Sequence, residues 1–218
     1  MPSASVFRWM DGGGWLVLAP GSVANSDIRA LALARVASGR LLACALVNGD
    51  SDDSDKMLED LEELGAPTGY LVDLIAEDDE TVESKLRDAS IIVVESATSI
   101  RAAKASLTGA AERGIRAAYE TGAVVLIEGL SAVFFGRLAT QEDGQAVDGL
   151  GWLVDSVIVP TAQDLSTLVK PVLQANSHLF AVGIGAGTAL ALGPNGEVEV
   201  WGTRQIAVTL GQFYRPKL

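Results

Sequence analysis

Short apolar segments alternate with helix-like segments along the first part of the chain, and this alternation limits the fold more than any other feature. Five segments are rich in Val, Ile, Leu and Ala, as is typical of strands that are buried on both faces. They are residues 15–20, 41–47, 70–75, 91–94 and 124–127. Strand–helix units repeated in this way form a parallel sheet with helices on both faces.

Helices are predicted between these strands, because the intervening segments carry apolar residues at helical spacing. The four predicted helices are residues 25 or 26 to 38 (capped by Asn25 or Ser26), 57–64, 80–88 and 100–121. Gly39 and Gly65 follow the first two helices and act as stop signals. The fourth helix is long, and we expect a break near Gly109 or Gly114.

The last third of the chain changes character and predicts an antiparallel extension. Its predicted strands are residues 152–159, 180–184, 188–192, 197–201 and 205–210, with a helix over 164–175 that Pro171 kinks. The turn Pro194-Asn195-Gly196 predicts a hairpin. We therefore predict one α/β domain over residues 1–218. It is a three-layer, doubly wound, mostly parallel sheet with a C-terminal antiparallel flap, preceded by a loose lead-in over residues 1–14.

Charge and motifs exclude several classes of partner. The net charge of −12 and the isoelectric point near 4.4 disfavour nucleic acid, which requires clustered Lys and Arg. The acidic runs at residues 50–55 and 77–83 are expected to be solvated faces, since the first lacks the glycine and the terminal glutamate of a calcium loop. No metal, phosphate or dinucleotide motif is present, so no cofactor is predicted.

The single cysteine and the absence of long apolar runs indicate where in the cell the protein is expected. Cys44 has no partner for an internal disulfide and lies in an apolar segment, where a buried, unreactive thiol is expected. No run reaches the length of a membrane span, and the amino terminus lacks the pattern of a secretory signal. We therefore expect a cytoplasmic protein without a membrane partner.

The segment 124–135 places a serine after a buried strand. Gly129 permits a sharp turn, and a helix is expected to start over residues 132–138. On one interpretation Ser131 sits at the corner of a nucleophile elbow, with its hydroxyl presented at the carboxyl edge of the sheet. On the other, Ser131 is the N-cap of the helix that follows. The first interpretation needs a general base elsewhere in the chain.

Three segments resemble motifs of the dipeptidase E and cyanophycinase family of serine peptidases. Glu128-Gly129-Leu130-Ser131-Ala132-Val133 is similar to the family's G-G-T-S-A-G, in which the serine is the nucleophile. Residues 149–153 resemble G-L-G-L-L, and residues 183–190 resemble G-I-D-E-x-T-A-L. Their order and spacing agree over nearly the whole chain. The resemblance implies the class I glutamine amidotransferase-like fold.

The same resemblance implies that the catalytic groups are missing. The position of the family's general-base histidine falls on Ala162, or on Thr161 if the alignment slips by one residue. The position of its acid falls on Ala186. The glycine pair that the family uses near the oxyanion falls near Glu95-Ser96, where a carboxylate would oppose the developing negative charge.

Two carboxylates and one histidine remain as substitutes. Glu95 and Glu128 each follow a predicted strand and are expected at the same edge as Ser131. They are either exposed loop carboxylates or part of a polar pocket, and Ser96 and Ala132 are also candidate binding residues there. His178 is the only histidine but precedes the strand at 180–184, at the end away from Ala186.

Two functions follow from these patterns. The first is a catalytically silent relative of the peptidases, a pseudoenzyme with a binding or assembly role that takes a peptide or small polar ligand. The alternative is an active serine hydrolase in which Glu128 or Glu95 serves Ser131 as an unusual base. A homodimer is also expected, with the aromatic residues of the tail as a self-association surface. Those residues are Trp152, Trp201, Phe213 and Tyr214.

Overall fold

The computed structural model describes residues 6–21, 26–36, 41–49, 51–141, 145–203 and 205–216. The predicted cap Asn25, the stop signal Gly39 and the first acidic residue Asp50 lie outside these residues. Within the described residues the chain forms twelve strands and eight helices. The strands are β1 (Trp15–Ala19), β2 (Leu42–Leu46), β3 (Gly69–Asp73), β4 (Ile91–Val94), β5 (Val124–Glu128), β6 (Gly136–Thr140), β7 (Ala146–Asp148), β8 (Leu153–Val159), β9 (Phe180–Ile184), β10 (Thr188–Leu192), β11 (Val198–Gly202) and β12 (Ile206–Leu210). The helices are α1 (Ser26–Leu33), α2 (Asp52–Glu63), α3 (Asp79–Arg87), α4 (Ile100–Leu107), α5 (Ala110–Glu120), α6 (Gly129–Phe134), α7 (Leu165–Leu168) and α8 (Lys170–Ala175).

The alternating part of the chain builds a seven-stranded sheet in the order β11-β10-β1-β5-β4-β2-β3. The five strands from β1 to β3 in this order are parallel. β10 and β11 extend one edge in antiparallel fashion and are joined by the predicted hairpin turn. The predicted fold class, a mostly parallel sheet between helices with antiparallel strands added near the carboxyl end, is confirmed.

Helices cover both faces of this sheet, which explains why its strands are apolar without alternation. In β5, Val124 and Leu126 face the side covered by α1 and α2, where Ile28 and Leu61 complete a buried cluster. Val125 and Ile127 face the other side, which α3, α4, α5 and α6 cover. Because each strand is covered twice, every residue of β2 and of β5 is buried.

A second sheet packs against the same large core and was not separated from the first in the prediction. It has five strands in the order β12-β9-β8-β6-β7, with β8 parallel to both β6 and β9. β12 pairs with β9, with Val208 opposite Val182, and so does not extend the hairpin of β10 and β11. Alternation of apolar residues predicts a strand but does not identify the neighbour with which it pairs.

The helices follow the sequence signals, but several bounds differ: α1 ends at Leu33 and not at residue 38, and α2 begins at Asp52 and not at Met57. The long fourth helix breaks at Gly109, as expected, into α4 and α5. The helix expected over residues 132–138 instead ends at Phe134, because Gly136 begins β6 and pairs with Leu153. The helix expected over 164–175 is divided into α7 and α8 around Val169. No helix among the described residues is long and apolar enough to cross a bilayer.

Candidate active-site edge

The turn between β5 and α6 is made by Gly129, and Ser131 lies two residues further on. Gly129 has a φ of 56°, in the left-handed region that favours glycine. A Cβ atom at this position would lie 1.9 Å from the Ser96 Oγ, so no other residue fits without displacement of its neighbour. The residue at the corner of the predicted elbow is therefore a glycine, which has no nucleophilic side chain.

Ser131 is completely buried, and its hydroxyl is bonded on both sides to the backbone. The Ser131 Oγ donates to the Glu95 carbonyl oxygen at 2.6 Å and accepts from the Ala97 N–H at 2.9 Å. It does not cap α6, which has no side-chain cap and begins after Glu128. The hydroxyl thus ties α6 to the segment that follows β4. The expected presentation of this group at an open edge is not observed, since both of its bonds go to buried backbone groups.

The residues predicted to stand at the positions of the family's base and acid are Thr161 or Ala162, and Ala186. Thr161 and Ala162 follow β8 and pack closely on β9, where a Cβ on Gly183 would lie 2.3 Å from the Thr161 carbonyl oxygen. The Thr161 Oγ1 accepts from the Gln163 N–H at 3.1 Å. Ala186 lies in the turn after β9, against the backbone of Gly21. At these positions the ends of β8 and β9 present only methyl, hydroxyl and backbone groups.

His178 is exposed in the turn that precedes β9. Ala186 follows the same strand, so all of β9 separates the imidazole from the edge where the base would be needed. A five-residue strand is about 16 Å long, whereas a general base must come within about 3 Å of the proton that it removes. His178 is therefore not placed to serve Ser131.

Glu128 forms a buried ion pair with Arg29, a residue that the sequence analysis missed. The Glu128 carboxylate accepts from the Arg29 Nε at 2.8 Å and from its Nη2 at 2.7 Å. The Arg29 Nη1 also donates to Asp60 at 2.8 Å, and the Ser26 hydroxyl donates to the other oxygen of Asp60 at 2.6 Å. Burial alone lowers the pKa of Arg29, but the hydrogen bonds and charges of Glu128 and Asp60 outweigh it and raise that pKa. The signal in the sequence was a cation between apolar residues on the inner face of α1.

Glu95 is also buried, and its partners are neutral. One carboxylate oxygen accepts from the Asn48 N–H at 2.7 Å, and the other accepts from the Ser54 hydroxyl at 3.2 Å. Burial raises the pKa of Glu95, and the hydrogen bonds from Asn48 and Ser54 only partly oppose that effect. The Asn48 amide also bonds to the Ser96 carbonyl oxygen and to the Thr98 N–H. This cluster fixes the loops that follow β2 and β4.

The expected polar pocket is divided between the two faces of the sheet. The side chains of Glu95 and Glu128 bond to α1 and α2 on one face. Ser131 belongs to α6, which packs against α4 on the other face, and neither carboxylate bonds to its hydroxyl. Ala132 is fully buried in α6. Ser96 is exposed at the boundary, where its Oγ accepts from the Leu130 N–H at 3.2 Å.

The residues of the expected pocket that remain accessible have neutral side chains. Ser96 and Thr98 are exposed, and Thr161 is half-buried. Hydroxyl and backbone groups of this kind can hydrogen-bond to a polar ligand, but they do not activate a nucleophile. Within the described residues no group of three or more His, Cys, Asp and Glu is placed to hold a metal ion.

These features define an α/β protein with the fold of peptidase E-like proteins. A crystal structure of a peptidase from an acI-B1 Actinobacterium superposes with a TM-score of 0.71 at 16% sequence identity, covering 92% of this chain and 93% of that one. A candidate peptidase E from Listeria monocytogenes EGD-e superposes with a TM-score of 0.60 at 15% identity, covering 88% of this chain and 99% of that one. No protein-family model and no curated protein matches the sequence.

Proposed function

We propose that this chain is a relative of the dipeptidase E and cyanophycinase peptidases that does not hydrolyse peptides and acts as a binding protein. The observation that carries the proposal is the state of Ser131, whose hydroxyl is buried and bonded to the Glu95 carbonyl oxygen and the Ala97 N–H. Attack by a serine requires a free hydroxyl and a base that removes its proton. The positions at which the family carries its base and acid hold Ala162, or Thr161, and Ala186.

The ion pair at the edge supports the same conclusion. Glu128 and Glu95 are the carboxylates nearest to Ser131 along the strand ends, and each is committed to other partners on the α1 and α2 face. Losing the base and the acid from a catalytic unit costs about a million-fold in turnover. A hydrolase that uses Glu128 or Glu95 as its base would have to break these bonds first.

The ligand that suits the remaining edge is a peptide or a small polar molecule. The accessible residues of the predicted pocket carry hydroxyl groups, with Ser96 and Thr98 exposed on one loop and Thr161 half-buried on another. The ordered carboxylates behind them hold these loops in place without reaching the surface. We infer that binding relies on neutral hydrogen bonds and not on a charged anchor.

Two measurements with the purified protein test this function. Dipeptides with an acidic residue are added, cleavage is followed by chromatography, and binding is followed by the midpoint of thermal unfolding. We expect no cleavage together with a rise of the midpoint, since a ligand that binds only the folded state stabilises it. The Thr98→Ala variant should reduce that rise. Cleavage would overturn the silent site, and an unchanged midpoint with every dipeptide would overturn the ligand class.

A fluorophosphonate probe tests Ser131 directly. We expect no labelling of the wild type and no change in Ser131→Ala. The same substitution should lower the free energy of unfolding by about 1–3 kcal/mol, because it leaves a buried N–H and a buried carbonyl without their partner. Ser84→Ala is the control, as Ser84 is exposed in α3. Labelling that disappears in Ser131→Ala would establish an active hydrolase.

A further inference from the structure

The two sheets end in four edge strands, and only one of them lacks a charged residue. The edges are β11 and β3 in the larger sheet and β12 and β7 in the smaller one. β3 ends in Asp73, β7 has three residues and ends in Asp148, and β11 contains Glu199, which pairs with Arg35. Charges and short length are the usual protection of an edge strand against pairing with another chain.

β12 has none of these protections. Residues 205–214 contain no charged residue and no proline, although the whole chain carries a net charge of −12. Val208 is 40% exposed and Leu210 is 51% exposed, and both lie on the same face of the strand. Phe213, which follows the strand, is 62% exposed. An uncovered apolar edge of this kind is expected to be an interaction surface.

The hydrogen-bond pattern shows which backbone groups of β12 are free to pair. The Gly211 N–H donates to the Leu179 carbonyl oxygen, so in an antiparallel ladder the alternate residues Ala207 and Thr209 also bond to β9. The N–H and carbonyl groups of the residues between them point away from β9. No described residue hydrogen-bonds to these outward groups of Ile206, Val208 and Leu210.

We propose that β12 is the interface of a homodimer, in which β12 of one protomer pairs antiparallel with β12 of its partner about a two-fold axis at Val208. This register places Val208 opposite itself and Ile206 opposite Leu210. Every pair of residues that hydrogen-bond across the interface is therefore aliphatic. The residues between them, Ala207 and Thr209, face each other and are small and neutral. The pairing supplies about six backbone hydrogen bonds and joins the two five-stranded sheets into one.

A second copy fits this edge because reversal of the strand keeps aliphatic residues at its alternate positions. Reversal about Val208 exchanges one aliphatic residue for another and brings no like charges together, which is the condition for a symmetric interface. An extended peptide of another protein could add to the same backbone groups, but nothing in the strand selects for a particular sequence. The symmetry of the pattern therefore favours self-association.

The aromatic residues of the tail do not form this surface as a group. Trp152 is fully buried against Tyr119, and Trp201 is buried near Trp15. Tyr214 packs on Phe180 inside the protomer. Phe213 is the member of the predicted set that remains exposed, and it lies three residues beyond the end of β12.

Light scattering coupled to size exclusion tests the proposal with a matched pair of variants. Val208→Lys puts two lysines opposite each other at the two-fold axis, and we expect the dimer to weaken by about a hundredfold or more. Val198→Lys is the control, since Val198 is also 40% exposed but lies on the edge strand β11. Its dimer should be unchanged. A wild type that is monomeric at high concentration, or a dimer that only Val198→Lys disrupts, would overturn the proposal.

Disulfide trapping tests the register and does not depend on the stability of a charged variant. In Val208→Cys the two Cα atoms across the axis are expected about 5.5 Å apart, within the range that a disulfide spans. Mild oxidation should give a covalent dimer, whereas Val198→Cys should give none. The natural Cys44 does not interfere, because burial raises the pKa of its thiol to about 12 and keeps it from solvent. A folded Val208→Cys protein that stays uncrosslinked while dimeric would exclude this register.

Discussion

At the scale of single residues, the buried side chains of Arg29, Glu95, Glu128 and Ser131 are hydrogen-bonded within the protein. Arg29 holds Glu128 and Asp60, and Ser131 holds the backbone on either side of Ser96. Removing one partner from such a buried pair costs more than the pair contributes, because the other charge remains without compensation. These contacts therefore fix the loops of the edge, and they leave no free acid, base or nucleophile among them.

Glu95 gives a pH-dependent prediction at this scale. Burial raises the pKa of its carboxyl in the folded protein above the value in the unfolded chain, about 4.3. Its contribution to stability is therefore complete below about pH 4.3 and is lost as the pH rises through the folded-state pKa. We expect the difference in unfolding free energy between the wild type and Glu95→Gln, measured in urea, to shift against the wild type between about pH 4 and pH 8. If the stability of the wild type relative to Glu95→Gln stayed constant or increased with pH, the raised pKa of Glu95 would be contradicted.

At the scale of elements, the turn between β5 and α6 is set by the approach of two loops. Gly129 adopts a left-handed backbone, and Ser96 fills the space that a side chain would need. α6 has six residues and leads directly into β6, so the chain crosses from the large sheet to the small one within a few residues. The glycine at this crossing is thus required by geometry, whether or not the edge binds a ligand.

The Gly129→Ala variant, compared with a control, measures two costs of a side chain at this turn: the left-handed backbone and the contact with Ser96. The left-handed backbone costs about 1–2 kcal/mol for a residue with a Cβ, and the contact with Ser96 adds to it. Gly65 is the control, because it has a φ of 82° and its Cβ would meet nothing within 4 Å. We expect Gly129→Ala to lower the unfolding free energy more than Gly65→Ala does. Ser96→Gly added to Gly129→Ala should restore only the excess. If both alanine variants lost the same unfolding free energy, the contact with Ser96 would not contribute to the cost.

At the scale of the whole molecule, the strong negative charge and the neutral edge of β12 act in opposite directions. Two copies of a chain with net charge −12 repel each other, while the paired strands contribute aliphatic contacts and backbone hydrogen bonds. The interface itself contains no ion pairs that salt would weaken, since residues 205–214 are uncharged. The balance between these two terms depends on ionic strength.

The dimer should consequently become tighter as salt is added. Raising the ionic strength from about 0.01 M to about 1 M shortens the screening length from about 30 Å to about 3 Å and suppresses the repulsion between protomers. We expect the dissociation constant from sedimentation velocity to fall over this range, and to fall in the same way for Val198→Lys. A dissociation constant that rises with salt would mean that ion pairs hold the dimer together.

The sequence alone determined the fold class and most of the elements, because these depend on local patterns, but it did not predict β6 and β7. Buried strands such as residues 124–127, the helix break at Gly109 and the hairpin at Pro194-Asn195-Gly196 all follow from the spacing of neighbouring residues. The tertiary structure decided which buried group meets which partner. Arg29 and Glu128 are 99 positions apart, and the period of an amphipathic helix or strand shows that a residue is buried without showing what satisfies it. For the same reason, the neighbour of β12 and the true corner of the turn at Gly129 became known only from the packed chain.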